Sequence, residues 1–375
     1  MNITGIIAEF NPLHKGHERL ITGSRSDSGA CVVLMSSNFT QRGSPAIVDE
    51  TLRAEMAIKA GADLVLELPF IYSCSAGQDF ARGAVEILGR LNFITHIAFG
   101  MEDSEYNIEP LINVLLHENQ DYKNFLKREL NSGASFAKAH SIALEKLIPG
   151  TQEFITKPNN MLALSYMLEI RRHDYNINAI AMKREGNYSS KLIRDYLAPP
   201  VKGERARMAR GLSEEVMNML PEYSRELLVN PVDEENLWPF LKSVFIRSKP
   251  EDLQKIYGID EGIENLFLKH CHKSTSLNDF IGRCICARYT RAHIRRRLVY
   301  ILLGLDRWEM FGALRSRVPY VRVLAFNDTG QKILREHKKD SDIKIITRLK
   351  AAEDKVGKYF ADVELKAGRL YELLL

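Results

Sequence analysis

Long apolar runs are missing from these 375 residues, so no stretch is long enough to span a bilayer. Met1-Asn2-Ile3 leads straight into a strand-like run without signal-peptide architecture, and a cytoplasmic protein is expected. Cysteine is also scarce. Cys31, Cys74, Cys271, Cys284 and Cys286 are odd in number and scattered, which excludes a disulfide framework or a metal finger. Cys284 and Cys286 form the only close pair, and no second pair completes a tetrahedral zinc site, so all five read as reduced thiols and no metal site is expected. Internal repeats and low-complexity tracts are absent, and 45% hydrophobic with 27% charged residues argues against long disorder.

What is present begins at Ile3-Thr4-Gly5-Ile6-Ile7-Ala8, a β-branched run that reads as a buried strand. Phe10-Asn11-Pro12 breaks it, and Gly16 and His17 open a helix. A new helix offers unpaired N–H groups and a positive dipole end, a seat for phosphate. Further strands are expected at Cys31–Ser36, Ala62–Pro69, Thr95–Gly100 and Ile177–Met182, alternating with helices. That rhythm predicts right-handed βαβ units and an α/β, Rossmann-like, mostly parallel sheet. Glu105 to Leu147 reads as an interrupted helical insertion.

The length favours two domains. Pro199-Pro200 marks the boundary, giving a Rossmann-like domain over 1–200 and a mainly α-helical, basic domain over 201–375. Strand-like runs reappear only at Val321–Phe326 and Ile343–Ile346, around a helix at Ile333–His337. Between Cys271 and Lys350 there are 18 lysines and arginines against 7 acidic residues, although the whole chain carries only +4. Helical spacing places Arg288, Arg291 and Arg295 on one face. A cationic half of this kind predicts a polyanionic partner, RNA before membrane.

His14 and His17, separated by Lys15 and Gly16, are the strongest local motif. Nucleotidyl transfer concentrates charge on the α-phosphate and departing pyrophosphate, which imidazole donors can stabilise, and Gly16 lets backbone approach the nucleotide. Arg42 follows strand two on the carboxyl edge where open α/β sheets bind ligands, and could hold a phosphate or a carboxylate of acetate size. Gly100 ends strand four on the same edge. Of Asn159 and Asn160, one is expected to cap a helix and the other to meet the base or ribose. Ser189-Ser190-Lys191-Leu192-Ile193-Arg194 offers hydroxyls and an arginine at a helix start, suited to phosphates through Ser190 and Arg194.

Together these residues resemble a known family. His14-Lys15-Gly16-His17 resembles the HIGH signature of the nucleotidyltransferase superfamily, and Ser189 to Arg194 resembles its second, Ser-Ser-x-x-Ile-Arg type signature. Phe39 to Ala46, Asp63 to Pro69, Phe80-Ala81-Arg82-Gly83, Phe99-Gly100, Lys157-Pro158-Asn159-Asn160 and Arg288-Tyr289-Thr290-Arg291 extend the likeness to the bacterial tRNA(Met) cytidine acetate ligases over nearly the whole chain. The resemblance implies an ATP-dependent ligase that activates acetate as acetyl-AMP and acetylates N4 of the wobble cytidine of elongator tRNA(Met), with Mg²⁺ accompanying ATP. It implies an ATP site over Ile7, Ala8, Glu9, Phe10, Asn11, Pro12, Leu13, His14, Lys15, Gly16, His17, Glu18, Arg19 and Leu20. Gly100, Asn159, Asn160 and Arg184 would add to it. The segment from Arg184 to Ser189 is short for the family, which leaves either Arg184 or Arg194 to meet the phosphates. A small-molecule adenylyltransferase or acyl-AMP ligase of the same superfamily is the alternative, and it leaves the basic half without a purpose.

Overall fold

The computed structural model describes residues 2–25, 29–134, 136–186, 188–197 and 213–375. Alternation along the strands sets the layers. In β2 (Ala30–Ser36), Val32 and Leu34 pack into one apolar cluster while Cys31, Val33 and Met35 pack into another on the opposite face. A strand buried on both faces needs helices on both, and they are there. The helix Gly77–Arg90 covers the first face with Val85 and Leu88, while α1 (Lys15–Gly23) and α2 (Glu50–Lys59) cover the second with Ile21, Ala54 and Ala57.

With β1 (Ile3–Ala8), β3 (Leu64–Leu68), β4 (His96–Met101), β5 (Asn178–Lys183), β6 (Tyr320–Phe326) and β7 (Lys344–Ile346), the sheet runs β5-β4-β1-β2-β3-β6-β7. All neighbours are parallel except β3 and β6. The chain winds outward from β1 through β2 to β3, then returns to β4 on the other side of β1. Crossovers therefore diverge at the carboxyl ends of β1 and β4 and open a crevice there. The insertion is helical and interrupted, with helices at Glu109–His117, Gln120–Asn131, Phe136–Leu147 and Thr151–Thr156. No described helix is long and apolar enough to cross a membrane.

Pro199-Pro200 lies outside the described residues. Residues beyond it are mainly helical, yet they also complete the sheet: β6, the helix Asp328–His337 and β7 form the strand–helix–strand piece expected from the sequence, and it extends the edge of the amino-terminal sheet. One apolar cluster runs from Leu34 and Leu66 through Phe245, Phe280 and Leu298 to Phe360, so the two halves share a core.

Charge fixes that edge in place. Arg322 of β6 forms ion pairs with Glu67 of β3 and Glu50 of α2, its Nε donating to Glu67 Oε2 at 2.7 Å. Glu364, from the helix Lys355–Glu372, joins these two carboxylates and accepts from the Phe70 N–H at 2.7 Å. Burial, then Glu67, pushes Glu50 up to about 7, and burial, then Glu364, pushes Glu67 up to about 8. Both carboxyl groups hold protons more tightly folded than unfolded, so their contribution is full below the ordinary carboxylate range and is lost as pH rises through 7 to 8. Thermal unfolding should therefore shift downward by a few degrees between about pH 6.5 and about pH 8.5, with Glu67→Gln flattening that slope. A melting temperature flat over that range, or an equal slope in the variant, would contradict the assignment.

Candidate active site

Between β1 and α1 the chain makes a sharp loop, with Phe10 at φ +46° and a cis Asn11-Pro12 peptide. His14 is the N-cap of α1. Its Nδ1 accepts from the N–H groups of Gly16 at 3.1 Å and His17 at 3.3 Å, and His17 Nδ1 accepts in return from the His14 N–H at 3.3 Å. An imidazole whose Nδ1 lone pair is spent on an N–H carries its proton on Nε2. Each ring is thus fixed as an Nε2–H donor, and the two stack with centroids 3.7 Å apart.

Burial and the Arg184 guanidinium lower His14 to about 4. Burial, then His14 and Arg184, holds His17 well below its ordinary value. Both imidazoles are neutral at pH 7. The backbone seat expected at the start of α1 is correspondingly smaller, because the N–H groups of Gly16, His17 and Glu18 all have partners on His14.

The second motif holds the loop from the other side. Ser190, at the start of the helix Ser190–Leu197, donates its hydroxyl to the Pro12 carbonyl at 3.2 Å, and Arg194 donates to the Asn11 carbonyl. Asn11 Oδ1 in turn accepts from the Ile47 N–H at 2.8 Å. Burial lowers Arg194 from the usual guanidinium range, with Arg42 and Arg295 adding to it and Glu9 opposing. Ahead of this motif, Tyr188 lies nearly parallel to His14 at 6.1 Å between centroids and carries the Arg19 guanidinium 5.2 Å over its ring.

These groups line a cavity of about 900 Å³ at the β1/β4 crevice, ample for a nucleotide with its co-substrate. Of the predicted residues it gathers Ile7, Ala8, Glu9, Phe10, Asn11, His14, Gly16, His17, Arg19, Leu20, Arg42, Gly100, Asn159, Arg184, Ser190 and Arg194. Among the described residues six cations line it, with Lys183 and Lys191 joining Arg19, Arg42, Arg184 and Arg194, against Glu9 and Glu185. That balance suits a polyphosphate. Arg184 packs over Gly100, whose missing Cβ would lie 3.1 Å from the Arg184 side chain. Glu9 Oε1 accepts from the Gln41 N–H at 2.6 Å and so fixes the loop bearing Arg42, an exposed guanidinium without a hydrogen-bond partner among the described residues.

Five expected contacts do not line the cavity. Asn160 is fully buried: its Oδ1 accepts from the N–H groups of Glu102 and Asp103, and its Nδ2 donates to Asp103 Oδ2 and the Phe154 carbonyl. All its capacity is spent on the scaffold, and Asn159 alone of the pair reaches the cavity. Leu13 is core, Pro12 meets Ser190 through its carbonyl, and Glu18 accepts from the Tyr223 hydroxyl at 2.8 Å. Lys15 is also outside the lining. Tyr166, Phe80, Gln78 and Tyr188 are among the lining residues that the sequence reading did not place at the site. For Tyr188 a signal existed, an aromatic next to the second motif; the others come from helices whose approach only packing decides.

The basic stretch is also different from expectation. Arg288 precedes the helix Arg291–Leu303, whereas Arg291 and Arg295 within it pair with Asn278 and Glu234. Arg296 is buried and donates to the Gln41 carbonyl at 2.9 Å, and Arg297 donates to the Gly258 carbonyl at 3.1 Å. Much of the helix's charge is therefore internal. Among the described residues, the one group of three metal-competent side chains is Glu50, Glu67 and Glu364, which lies outside the cavity and is already met by Arg322.

Residues 1–375 match the family described as HIGH nucleotidyl transferase. The tRNA(Met) cytidine acetate ligase of Clostridium perfringens (strain ATCC 13124) is 33% identical, covering 100% of this chain and 96% of its own length. That of Thermoanaerobacter sp. (strain X514) is 34% identical over 95% of this chain and 91% of its own. A crystal structure of Thermotoga maritima TmcAL bound with alpha-thio ATP matches at a TM-score of 0.89 and 28% identity, covering 100% of this chain and 95% of that one.

The tautomer assignment has a direct check. Nitrogen-detected NMR should show both His14 and His17 as Nε2–H imidazoles with no titration between about pH 5.5 and about pH 8, since their folded values lie below that window. A midpoint near 6.5 for either ring would show that it is not sealed as described.

Proposed function

The chain belongs to the HIGH nucleotidyl transferase family and to its tRNA(Met) cytidine acetate ligases, and from that premise we propose that it activates acetate as acetyl-AMP and acetylates N4 of the wobble cytidine of elongator tRNA(Met). ATP-dependent tRNA modification is the activity that this membership carries. The observation that supports the chemistry best is the stacked pair of neutral Nε2–H imidazoles sharing one cavity with six cationic side chains.

In the first step an acetate oxygen attacks the α-phosphorus, the bond to the bridging oxygen breaks, and pyrophosphate departs. Negative charge moves onto the α-phosphate oxygens and the leaving group, so fixed donors around them lower the barrier. His14 and His17 provide such donors without changing protonation state. Arg184 is the arginine assigned to the phosphates, because Arg194 already serves the Asn11 carbonyl. Arg42, without a hydrogen-bond partner among the described residues, is assigned to the acetate carboxylate or the phosphate it attacks.

In the second step the cytidine amine attacks the acetyl carbonyl, the bond to AMP breaks, and the amine sheds a proton. No covalent protein intermediate is needed: no cysteine lines the cavity, and the Ser190 hydroxyl is committed to Pro12. Magnesium enters this reading as a component of the ATP substrate, because Glu9 and Glu185 are the only lining carboxylates among the described residues. Residues 1–200 supply the nucleotide site in this scheme, and the cationic 201–375 region holds the RNA.

Acetate-dependent pyrophosphate release from ATP, with and without tRNA, tests the reading. His17→Ala should lose about 100-fold or more in turnover, as removal of one oxyanion donor does elsewhere. Arg184→Ala should raise the KM for ATP about 10-fold or more through a lost charge-assisted contact. A wild-type enzyme without acetate-dependent release, or a fully active His17→Ala, would sink it.

A further inference from the structure

The Arg42 loop is held by two elements that the reaction does not otherwise connect. Its turn is tight: Gly43 N–H donates to the Thr40 carbonyl at 2.8 Å, Thr40 N–H donates to the Ser44 carbonyl at 3.0 Å, and Phe39 bridges Pro45. Arg42 sits near the tip. The Gln41 peptide is gripped at both ends. Its N–H meets Glu9 at the end of β1, and its carbonyl accepts from the buried Arg296 guanidinium at 2.9 Å. Arg296 is 8% exposed and belongs to the helix Arg291–Leu303, 255 residues along the chain.

Gly43 completes the seat. It lies at φ +77°, and a Cβ there would come within 2.4 Å of the Arg296 backbone nitrogen. The loop therefore rests directly on the helix backbone, at a distance that no other residue permits. Neither Arg296 nor Gly43 lines the cavity.

We propose that Arg296 is a positioning residue for adenylate formation: together with Gly43 it presses the Gln41 peptide against Glu9 and so sets where Arg42 meets the reacting groups. This rests on the reaction and on the role for Arg42 proposed above. Arg42 has no hydrogen-bond partner of its own among the described residues, so its aim depends on its backbone, and the tip of the turn that carries it is tied to β1 and to the helix Arg291–Leu303 through Gln41 and Gly43. The helix Arg291–Leu303 then braces the ATP site from behind its lining as well as belonging to the RNA-facing half.

The test uses the full chain as Arg296→Met, Arg296→Lys, Gly43→Ala, Arg42→Ala and the Arg42→Ala/Arg296→Met double variant, with thermal unfolding recorded for each. Arg296→Met should lower kcat for acetate-dependent pyrophosphate release about 10- to 100-fold, the range for a misplaced reacting group. Its KM for ATP should stay within about 3-fold, since uniform binding is not what the loop supplies. Arg296→Lys, keeping one charged donor, should recover part of the loss, and Gly43→Ala should share it. In the double variant the effects should not multiply, because a loop without Arg42 has nothing left to misplace. Multiplying losses, or wild-type kcat in Gly43→Ala, overturns the proposal, and Gly43→Ala decides alone if Arg296→Met fails to fold. A wild-type protein without acetate-dependent release instead removes the reaction on which the proposal rests.

Discussion

The reciprocal hydrogen bonds between His14 and His17 constrain the whole site. Each Nδ1 is occupied by a backbone N–H of the other's turn, which leaves each Nε2 as a donor and locks the rings in a stack. A helix start would ordinarily expose its own amides to a phosphate. Here the amides of Gly16, His17 and Glu18 are consumed internally, and the donor function passes to imidazole edges. Burial keeps those edges neutral, so each presents an Nε2–H without contributing a variable charge. Formal charge comes from arginines on other elements.

That arrangement requires a loop that does not move, and three remote contacts hold it. Ser190 and Arg194 take the carbonyls of Pro12 and Asn11, and Ile47 takes the Asn11 side chain. The second signature motif thus acts first on the first motif. Arg194 reads from its spacing as a phosphate ligand, but a guanidinium already donating to a buried carbonyl has less to offer a substrate. Arg184 over Gly100 is the freer of the two.

The same division between local chemistry and remote support appears across the molecule. β6 and β7 come from the far half of the chain yet extend the sheet, with Arg322 bridging the buried acids Glu67 of β3 and Glu50 of α2. Glu364 adds the last long helix to the same cluster. With a common apolar core as well, the carboxyl-terminal half packs directly against the loop that lines the cavity.

What the sequence by itself determined follows from short-range rules. Alternation of apolar residues defined the buried strands, the βαβ rhythm defined a parallel sheet and its carboxyl-edge crevice, and His14-x-x-His17 and the Ser-Ser motif were legible because caps and helix starts depend on spacing. Sixteen of the 36 lining residues were expected, those of the Ile7–Leu20 stretch through the family resemblance. Tertiary structure alone decided which polar group had capacity left for a ligand. Asn159 and Asn160 look alike in sequence, but Glu102, Asp103 and Phe154 exhaust Asn160. Arg288, Arg291 and Arg295 read as one RNA-facing side of a helix, but Arg288 lies ahead of the helix, and Asn278 and Glu234 pair with Arg291 and Arg295. A donor's availability depends on every acceptor the fold brings to it, and most of those acceptors lie tens to hundreds of residues away.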